Sequence, residues 1–267
     1  MDTKQIIVSR AFDKQAVQFD KNQLENPILQ IMRQHVWSES LRFIKPGNRI
    51  LELNAGTGLD AVFFAQHGCK VLATDIAEGM LHQIKKKVEE NNLQNEIQVQ
   101  QLSFHELNKI QSQKFDYIFS NFGGLNCTDD LQSVFAQFSS LLKPNGYVTM
   151  VMVSPVCPWE LTYFFRGKWK MAFRRIKKKH VIAHLGGEYF SVEYYSPSEV
   201  IKAFPARFTK VNLTGLASLL PPPYMENFPK KLPRLFHFLQ RVDNTMRKIP
   251  PFTWWGDYFI LTMRYTL

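Results

Sequence analysis

The stretch that decides the fold is Ile50-Leu51-Glu52-Leu53-Asn54-Ala55-Gly56-Thr57-Gly58-Leu59-Asp60-Ala61. Apolar residues typical of a buried strand lead into a glycine turn, and a helical pattern begins directly behind that turn. Because glycine carries no side chain, such a turn brings backbone N–H groups and a helix N-terminus up to a ligand. The segment therefore predicts a strand–turn–helix unit with a ligand at the turn.

A second apolar strand, at residues 71–75, ends on the carboxylate of Asp75. This acid lies about 20 residues beyond the glycine turn, where a Rossmann-type unit places the carboxylate that holds ribose hydroxyls. The two features together predict an adenosine-containing cofactor.

The nature of that cofactor depends on the charge at Glu52. Residues 56–61 also fit the dinucleotide pattern G-x-G-x-x-G/A, which alone would indicate a dehydrogenase. A carboxylate at the base of the loop, however, repels a pyrophosphate and attracts an ammonium or sulfonium group. S-adenosylmethionine carries both cations, and its own carboxylate can use the helix N-terminus near Gly58. The sequence therefore favours S-adenosylmethionine.

Read in order, these blocks resemble the class I S-adenosylmethionine-dependent methyltransferases. The resemblance covers roughly residues 10–153, with weaker likeness at 196–216 and 257–266. Its blocks are the N-terminal 12–20, the loop 52–58, and the segments 75–81, 115–122 and 141–147. The chain departs from the family at Asn54, where the loop usually begins with glycine. It also departs near Ser103, where family members carry the acid that meets the adenine amino group.

Alternating strand and helix patterns predict a doubly wound, mainly parallel α/β sheet. Predicted strands are 49–53, 70–75, 97–102, 115–121 and 147–153; predicted helices are 59–66, 78–91 and 131–142. The family resemblance implies a seven-stranded Rossmann-like sheet whose last strands, 208–214 and 258–265, form an antiparallel edge hairpin. Another helix is expected to begin behind an N-cap at Ser196, with Pro197 at its first position and Glu199 at its third.

The predicted domain organisation has two parts. Residues 1–45 form an N-terminal helical cover, broken around Asn26-Pro27, and residues 46–267 form the methyltransferase domain. Segments at about 154–195 and 217–256 are insertions. We expect both to cap the strand ends, because such sheets bind their ligands there.

The net charge of +10 is concentrated in those insertions. Residues 161–187 hold eight Lys/Arg and no acid, and aromatic residues between them give the pattern of a basic amphipathic helix over 164–177. The run Arg174–Lys179 is either a solvated face, a surface for an anionic partner, or an RNA contact. The anionic candidates are an acidic carrier protein, a phosphorylated substrate and a membrane surface. No defined RNA-binding motif is present, so nucleic acid is disfavoured.

Composition also bounds the cellular context. The longest apolar run, around 148–153, is too short to span a bilayer, and the N-terminus lacks a secretory pattern. Cys69, Cys127 and Cys157 are scattered without metal-ligand spacing. We expect a cytoplasmic protein with no transmembrane segment and no metal.

The resemblance implies a cofactor site along the ends of the first four strands. The predicted cofactor-binding residues are Phe19, Glu52, Asn54, Ala55, Gly56, Gly58, Asp60, Asp75, Ile76, Met80, Leu102, Ser103, Phe104, Asn121, Phe122 and Gly123. Phe19 either closes over the cofactor or packs in the core. Asp60 either caps its helix or meets the methionine end. The segment Asn121-Phe122-Gly123-Gly124 faces the methyl group and is not the Asn-Pro-Pro-Tyr type used on exocyclic amines.

Methyl transfer from a sulfonium is an in-line displacement in which position and alignment matter most. A base helps when the acceptor must lose a proton. His35 and His184 are the predicted bases, with a structural role for each as the alternative; His105 and His180 are further candidates.

The expected function is methyl transfer to a small or lipophilic acceptor, which is free, anionic or carrier-borne. Oxygen is the first choice of acceptor atom, with carbon or nitrogen next. Aromatic residues fit an apolar acceptor: Trp159, Phe164, Phe165, Trp169, Tyr194, Trp254 and Trp255. Two alternatives remain, namely an RNA methyltransferase recruited by the basic insertions and a non-catalytic S-adenosylmethionine-binding module.

Overall fold

A computed structural model describes residues 2–177 and 180–266, without the side chains of Arg166 and Lys177. Lys178 and Lys179 of the predicted basic run lie outside the described residues. Seven strands form one sheet in the order β3-β2-β1-β4-β5-β9-β8. Their bounds are β1 Arg49–Leu53, β2 Lys70–Asp75, β3 Ile97–Gln101, β4 Phe115–Ser120, β5 Leu142–Val153, β8 Phe208–Leu216 and β9 Tyr258–Tyr265.

The pairing of the strands confirms the predicted doubly wound sheet. The first five strands run parallel, with Leu51 of β1 opposite Leu72 of β2 and Ile118 of β4. β9 lies antiparallel between β5 and β8, which gives the predicted edge hairpin. Because β1, β2 and β4 are parallel, their carboxyl ends meet at one edge of the sheet.

Helices cover both faces of the sheet. Their bounds are α1 Thr3–Glu25, α2 Pro27–Ser40, α3 Leu59–Gln66, α4 Glu78–Glu90, α5 Leu131–Ala136, α6 Phe138–Leu141, α7 Pro158–Leu161, α8 Trp169–Ala172, α9 Pro197–Ala203, α10 Phe228–Lys231 and α11 Pro233–Met246. The predicted break at Asn26 is confirmed, since its side-chain oxygen accepts the N–H groups of Ile28 and Leu29 and so caps α2. The capping box of Ser196 and Glu199 before α9 is also confirmed.

The sheet starts its fifth strand earlier than the sequence predicts. The expected helix over 131–142 splits at Gln137 into α5 and α6, and β5 begins at Leu142. The expected turn at Lys143–Gly146 lies inside this strand, where Leu142 pairs with Phe115 and a register shift follows. The residues Lys143–Gly146 therefore form an irregularity within β5 and do not mark the start of that strand.

The predicted basic helix over 164–177 is wrong. The chain there forms a 3₁₀ turn, the short helix α8 and a second 3₁₀ turn. Gly167, with φ +70°, adopts the left-handed conformation that ends the first turn. A separate hairpin follows, made of β6 Val181–Leu185 and β7 Glu188–Val192.

The core has two halves, one on each face of the sheet, because neighbouring strand residues point in opposite directions. Leu51 joins the half under α5, α6 and α9, whereas Ile50 joins the half under α2 and α3. Phe236 of α11 packs into the second half, so part of the second insertion belongs to the core. Among the described helices, none combines the length and apolar character needed to cross a membrane.

Candidate active site

A cavity of about 400 Å³ opens at the carboxyl ends of β1, β2 and β4 and is covered by α1. Fourteen of the sixteen predicted cofactor residues line it: Phe19, Asn54, Ala55, Gly56, Asp60, Asp75, Ile76, Met80, Leu102, Ser103, Phe104, Asn121, Phe122 and Gly123. The volume is in the usual range for a site that takes one small organic molecule. The structure therefore gathers the predicted residues around one ligand-sized space.

The glycine turn is held to the end of β2 by Asp75. One carboxylate oxygen accepts the N–H of Gly56 at 2.9 Å and the other accepts the N–H of Ala77 at 2.9 Å. Gly56 has φ +56°, a conformation that costs glycine little. Burial raises the pKa of Asp75 to about 6, against the lowering effect of the backbone N–H groups. Each oxygen keeps a lone pair for a ligand hydroxyl.

Asn54 joins this turn to the end of β4. Its side-chain N–H₂ donates to the carbonyl of Asn121 at 3.2 Å, and its oxygen accepts the Ser120 hydroxyl at 2.7 Å. Asn54 has φ +47°, in the left-handed region that asparagine tolerates better than other side chains. The residue that departs from the family pattern thus keeps the backbone conformation and adds two contacts.

Asp60 is the centre of a buried polar network. Arg33 and Trp37 of α2 donate to one of its oxygens at 2.6 and 2.7 Å, and the Asn121 amide donates to the other at 2.9 Å. The N-cap of α3 is Gly58 and no side chain caps this helix, so Asp60 does not act as the cap. Arg33 also lies over the Phe122 ring, 4.8 Å from its centroid. The network fixes α2 against the cavity wall.

Two predicted cofactor residues do not line the cavity. Glu52 is buried beneath the turn, and this burial, together with the nearby Asp60 carboxylate, raises its pKa well above the usual range. The repulsion of a pyrophosphate that we assigned to Glu52 therefore does not act at the cavity surface. Gly58 instead lets α3 approach α4, since a Cβ there would lie 3.0 Å from the Ile84 side chain.

The helix α1 is fixed over the cavity by a repeated Phe-Asp pair. Asp13 accepts the N–H of Gly79 at 2.7 Å, and Asp20 accepts the Thr57 hydroxyl at 2.5 Å while pairing with Lys87. Phe12 and Phe19 both line the cavity. The seven-residue spacing, about two helical turns, puts both pairs on one face and is the signal that could have placed α1 in the site.

Further lining residues were not predicted as cofactor contacts. They come from α1 and its N-cap, from α2, from the glycine turn and the first residue of α3, and from the segments after β3 and β4: Asp2, Lys4, Gln5, Val8, Phe12, Arg33, Thr57, Leu59, His105, Gly124, Cys127, Thr128, Asp129 and Asp130. Burial raises the pKa of Cys127 to about 11, so its thiol stays protonated at neutral pH. No sequence motif marks Arg33, which reaches the cavity wall because α2 packs against it.

The two histidines predicted as bases lie away from the cavity. His35 is two residues from Arg33 on α2, so it points to the other side of that helix. Burial and the nearby Arg247 lower its pKa to about 4. His184 is exposed on β6 and stacks on Tyr189 with a centroid distance of 4.5 Å. The structure therefore places neither histidine on the cavity wall.

The wall of the cavity is built without the two insertions. No lining residue of the cavity belongs to 154–195 or 217–256 within the described part of the chain. The β6–β7 hairpin packs against α1, where Glu188 pairs with Lys14 at 2.7 Å and Phe190 joins a cluster with Val8. The aromatic residues of the insertions therefore do not form the cavity wall, and α1 is its cover.

Comparison with known proteins agrees with this geometry. The family model of the methyltransferase domain matches residues 50–146. A demethylmenaquinone methyltransferase of Corynebacterium glutamicum (strain R) is 26% identical over 162 residues, 59% of this chain and 65% of the relative. An S-adenosyl-L-methionine-dependent Diels-Alderase, iccD of Talaromyces variabilis, is 31% identical over 108 residues, 40% and 37% of the two chains. The chain thus spans between about a third and two thirds of the length of these curated relatives.

Solved structures share the fold. The DhpI–SAH complex aligns over 99% of both chains with a TM-score of 0.59 and 15% identity. Residues 50–146 match the methyltransferase domain, and the strand order and the glycine turn are those expected of a class I S-adenosylmethionine-dependent methyltransferase with the Rossmann-like fold.

Proposed function

We propose that the chain binds S-adenosylmethionine in the cavity and transfers its methyl group to a small or lipophilic acceptor. The observation that carries this proposal is the buried Asp75 carboxylate, held beside the Gly56 turn at the edge of a ligand-sized cavity. Matches to the methyltransferase domain and to a demethylmenaquinone methyltransferase support it.

The residues present fit that cofactor. Asp75 offers lone pairs to the ribose hydroxyls, and the turn at Gly56 admits a ligand close to the backbone. Ser103 offers a hydroxyl, and Leu102 and Phe104 offer apolar surface, to the adenine. Arg33 puts a positive charge on the wall beside Phe122 and Asn121. When bound, the cofactor supplies a methyl group already activated on a sulfonium.

The protein itself then contributes to catalysis by positioning the cofactor and the acceptor. The wall around Asn121–Gly124 is fixed by the Asn54 and Asp60 contacts, and α1 covers one side of the cavity. Both oxygens of Asp60 are engaged by N–H donors, so this carboxylate is not a free base. His105 also lines the cavity, and burial lowers the pKa of its imidazole, so it stays neutral near pH 7 and can take a proton from the acceptor. An acceptor that is already ionised near neutral pH, such as a carboxylate or an acidic enol or phenol, needs no base. Oxygen remains the first acceptor atom, with an activated carbon or a nitrogen next.

The test is incubation of the protein with methyl-labelled S-adenosylmethionine and fractionated host metabolites. We expect label to appear in an acidic, low-molecular-weight or lipophilic fraction, with an equal amount of S-adenosylhomocysteine formed. His184→Ala should keep this rate, because the exposed imidazole is not at the cavity. Binding of the cofactor without transfer to any fraction would contradict the proposal and favour a module that uses the nucleoside only structurally. The resemblance to a Diels-Alderase makes a Diels–Alder cycloaddition the next reaction to assay in that case.

A further inference from the structure

A cluster of aromatic side chains in the first insertion is exposed to solvent. Phe164, Phe165, Trp169 and Phe173, here called the aromatic patch, form one contiguous group. The Phe164 ring lies 5.5, 4.7 and 5.9 Å from the rings of the other three. Phe165 is 87% exposed and Trp169 60% exposed. Contiguous apolar surface of this kind marks a contact site rather than ordinary surface.

Positive charge surrounds the aromatic patch without counter-charge. Lys168 and Lys170 are exposed, and no ion pair of either is present in the part of the chain that the structure describes. The sequence contains no acid between residues 161 and 187. Arg174 and Arg175 are not available, because both are paired with Glu160. Among the side chains that the structure describes, the free charges at the patch are therefore those of Lys168 and Lys170.

The second basic segment joins this surface. The Trp159 ring contacts the Phe228 ring at 5.4 Å, and the Trp159 indole N–H donates to the carbonyl of Leu219 at 2.9 Å. These contacts bring α10 beside α7, and α10 carries the exposed Lys230 and Lys231. The two basic stretches of the sequence thus meet in one region of the molecule.

Contacts of Arg175 attach the segment that carries the patch to the edge of the sheet that holds the cavity. Arg175 is buried, pairs with Asp257 at 2.5 Å, and donates to the carbonyl of Ser154 at 3.1 Å. Ser154 directly follows β5, and Val153 at the end of that strand lies against the cavity residue Gly123. The oxygens of Glu160 and Asp257 lie close to the Cys157 thiol, but the guanidinium between them makes this an ion-pair cluster rather than a cation site.

We propose that the aromatic patch and its lysines dock this protein on an anionic bilayer surface, with the cavity edge of the sheet near the membrane. Aromatic rings settle at the level of lipid headgroups, and lysines beside them are attracted by anionic lipids. Met171 and Ile176, which are also exposed, neither stack on bases nor carry charge. These aliphatic side chains favour lipid over RNA, and the exposed rings favour lipid over an acidic protein that would need only the lysines.

The test is co-sedimentation of the full chain with vesicles of phosphatidylcholine, with and without phosphatidylserine. We expect binding to the anionic vesicles to be at least about tenfold stronger, and to weaken as salt is added. The double variant Phe165→Ser, Trp169→Ser should lose at least about tenfold in this affinity. The control is Val17→Ser, which removes an apolar side chain of 81% exposure from α1 and should bind as the wild type does.

The assay needs no cofactor, so its outcome is independent of the proposed methyl transfer. The patch variant should retain the wild-type affinity for S-adenosylhomocysteine, which also verifies that it is folded. Absence of wild-type binding to anionic vesicles, or equal binding by the patch variant, would overturn the inference. Patch-dependent binding of a polyuridine RNA or of an acidic carrier protein, without vesicle binding, would overturn it as well and identify the other occupant.

Discussion

Asn54 and Gly124 lie against each other at the cavity edge, and the residue type at each position depends on the other. Gly124 leaves the space that the Asn54 amide occupies, since a Cβ at Gly124 would overlap that amide. Asn54 uses this space to contact Ser120 and Asn121, and so ties β1 to β4. A family pattern with glycine at the first position would lose these contacts but would relax the need for Gly124.

The pair gives a prediction for stability. Gly124→Ala should lower the free energy of unfolding by about 1–3 kcal/mol, because the added methyl group overpacks the Asn54 site. In an Asn54→Gly background the same substitution should cost clearly less, since the amide is gone. Urea unfolding of the four proteins of this cycle measures both costs. Equal costs in the two backgrounds would show that the two residues are not coupled.

Single residues differ in how far the sequence could predict them. Asp75 and Gly56 could be placed because both lie at strand ends, and parallel strands bring their carboxyl ends together. The position of the Glu52 side chain could not be predicted. Its place in the sequence shows that it is close to the turn, but not that its carboxylate is buried beneath the turn. Arg33 was missed for a different reason, since its role depends on the docking of α2 and not on any local pattern.

At the scale of elements, α1 is the part of the fold on which the cavity most depends. Its cavity face carries two aromatic residues, and Asp13 and Asp20 fix it to α4 and to the glycine turn. Lys87 closes the second of these contacts, because it pairs with Asp20 and also donates to the Thr57 carbonyl at 3.0 Å. The cover is therefore tied to the cofactor turn itself.

This arrangement predicts the effect of loosening α1. Asp20→Ala should weaken S-adenosylhomocysteine binding about tenfold, since hydrogen bonds to charged groups contribute about 1.5–3 kcal/mol. Amide exchange in α1 should become faster. The matched control is Lys14→Ala, which removes a partly exposed ion pair with Glu188 and should change the affinity little. Equal affinities of wild type and Asp20→Ala would show that α1 does not need this contact to cover the site.

A periodic sequence pattern predicts the secondary structure well in one part of the chain and poorly in another. The strands and helices of residues 49–141 follow from long periodic segments with clear turns, and most of their bounds agree with the structure. The stretch 164–177 has apolar and basic residues at helical spacing, yet Gly167 interrupts it and tertiary contacts set its path. Helical spacing without caps was too weak a signal there.

For the whole molecule, His35 makes stability depend on pH. Its pKa in the folded state is about 4, below the ordinary 6.5, so the unfolded chain binds the proton more tightly. The stabilisation is complete above pH 6.5 and is lost as the pH falls towards 4. Asp75 acts in the opposite direction, because its pKa is raised to about 6 and its contribution to stability is lost as the pH rises through that value.

Comparing the wild type with a His35 variant separates the contribution of His35 to the pH dependence of stability from that of Asp75. Between pH 7.5 and pH 5, His35 alone should lower the free energy of unfolding by about 2 kcal/mol, because protonation of the unfolded chain is favoured. His35→Gln should remove about this amount from the pH dependence, while the contribution of Asp75 cancels in the difference. Urea unfolding of both proteins at the two pH values measures it. The same pH dependence in both proteins would contradict the buried, neutral state of His35.

The measurement that tests the central claim most directly is calorimetric titration of the folded protein with S-adenosylmethionine and S-adenosylhomocysteine. We predict one site for each, with an affinity that declines as the pH falls below about 6, where Asp75 takes up a proton. Asp75→Asn should weaken binding at least about tenfold. Asp116→Asn, which changes a carboxylate at the opposite end of the sheet that pairs with Lys143, should not. No heat with either nucleoside, or equal affinities for wild type and Asp75→Asn, would contradict the account.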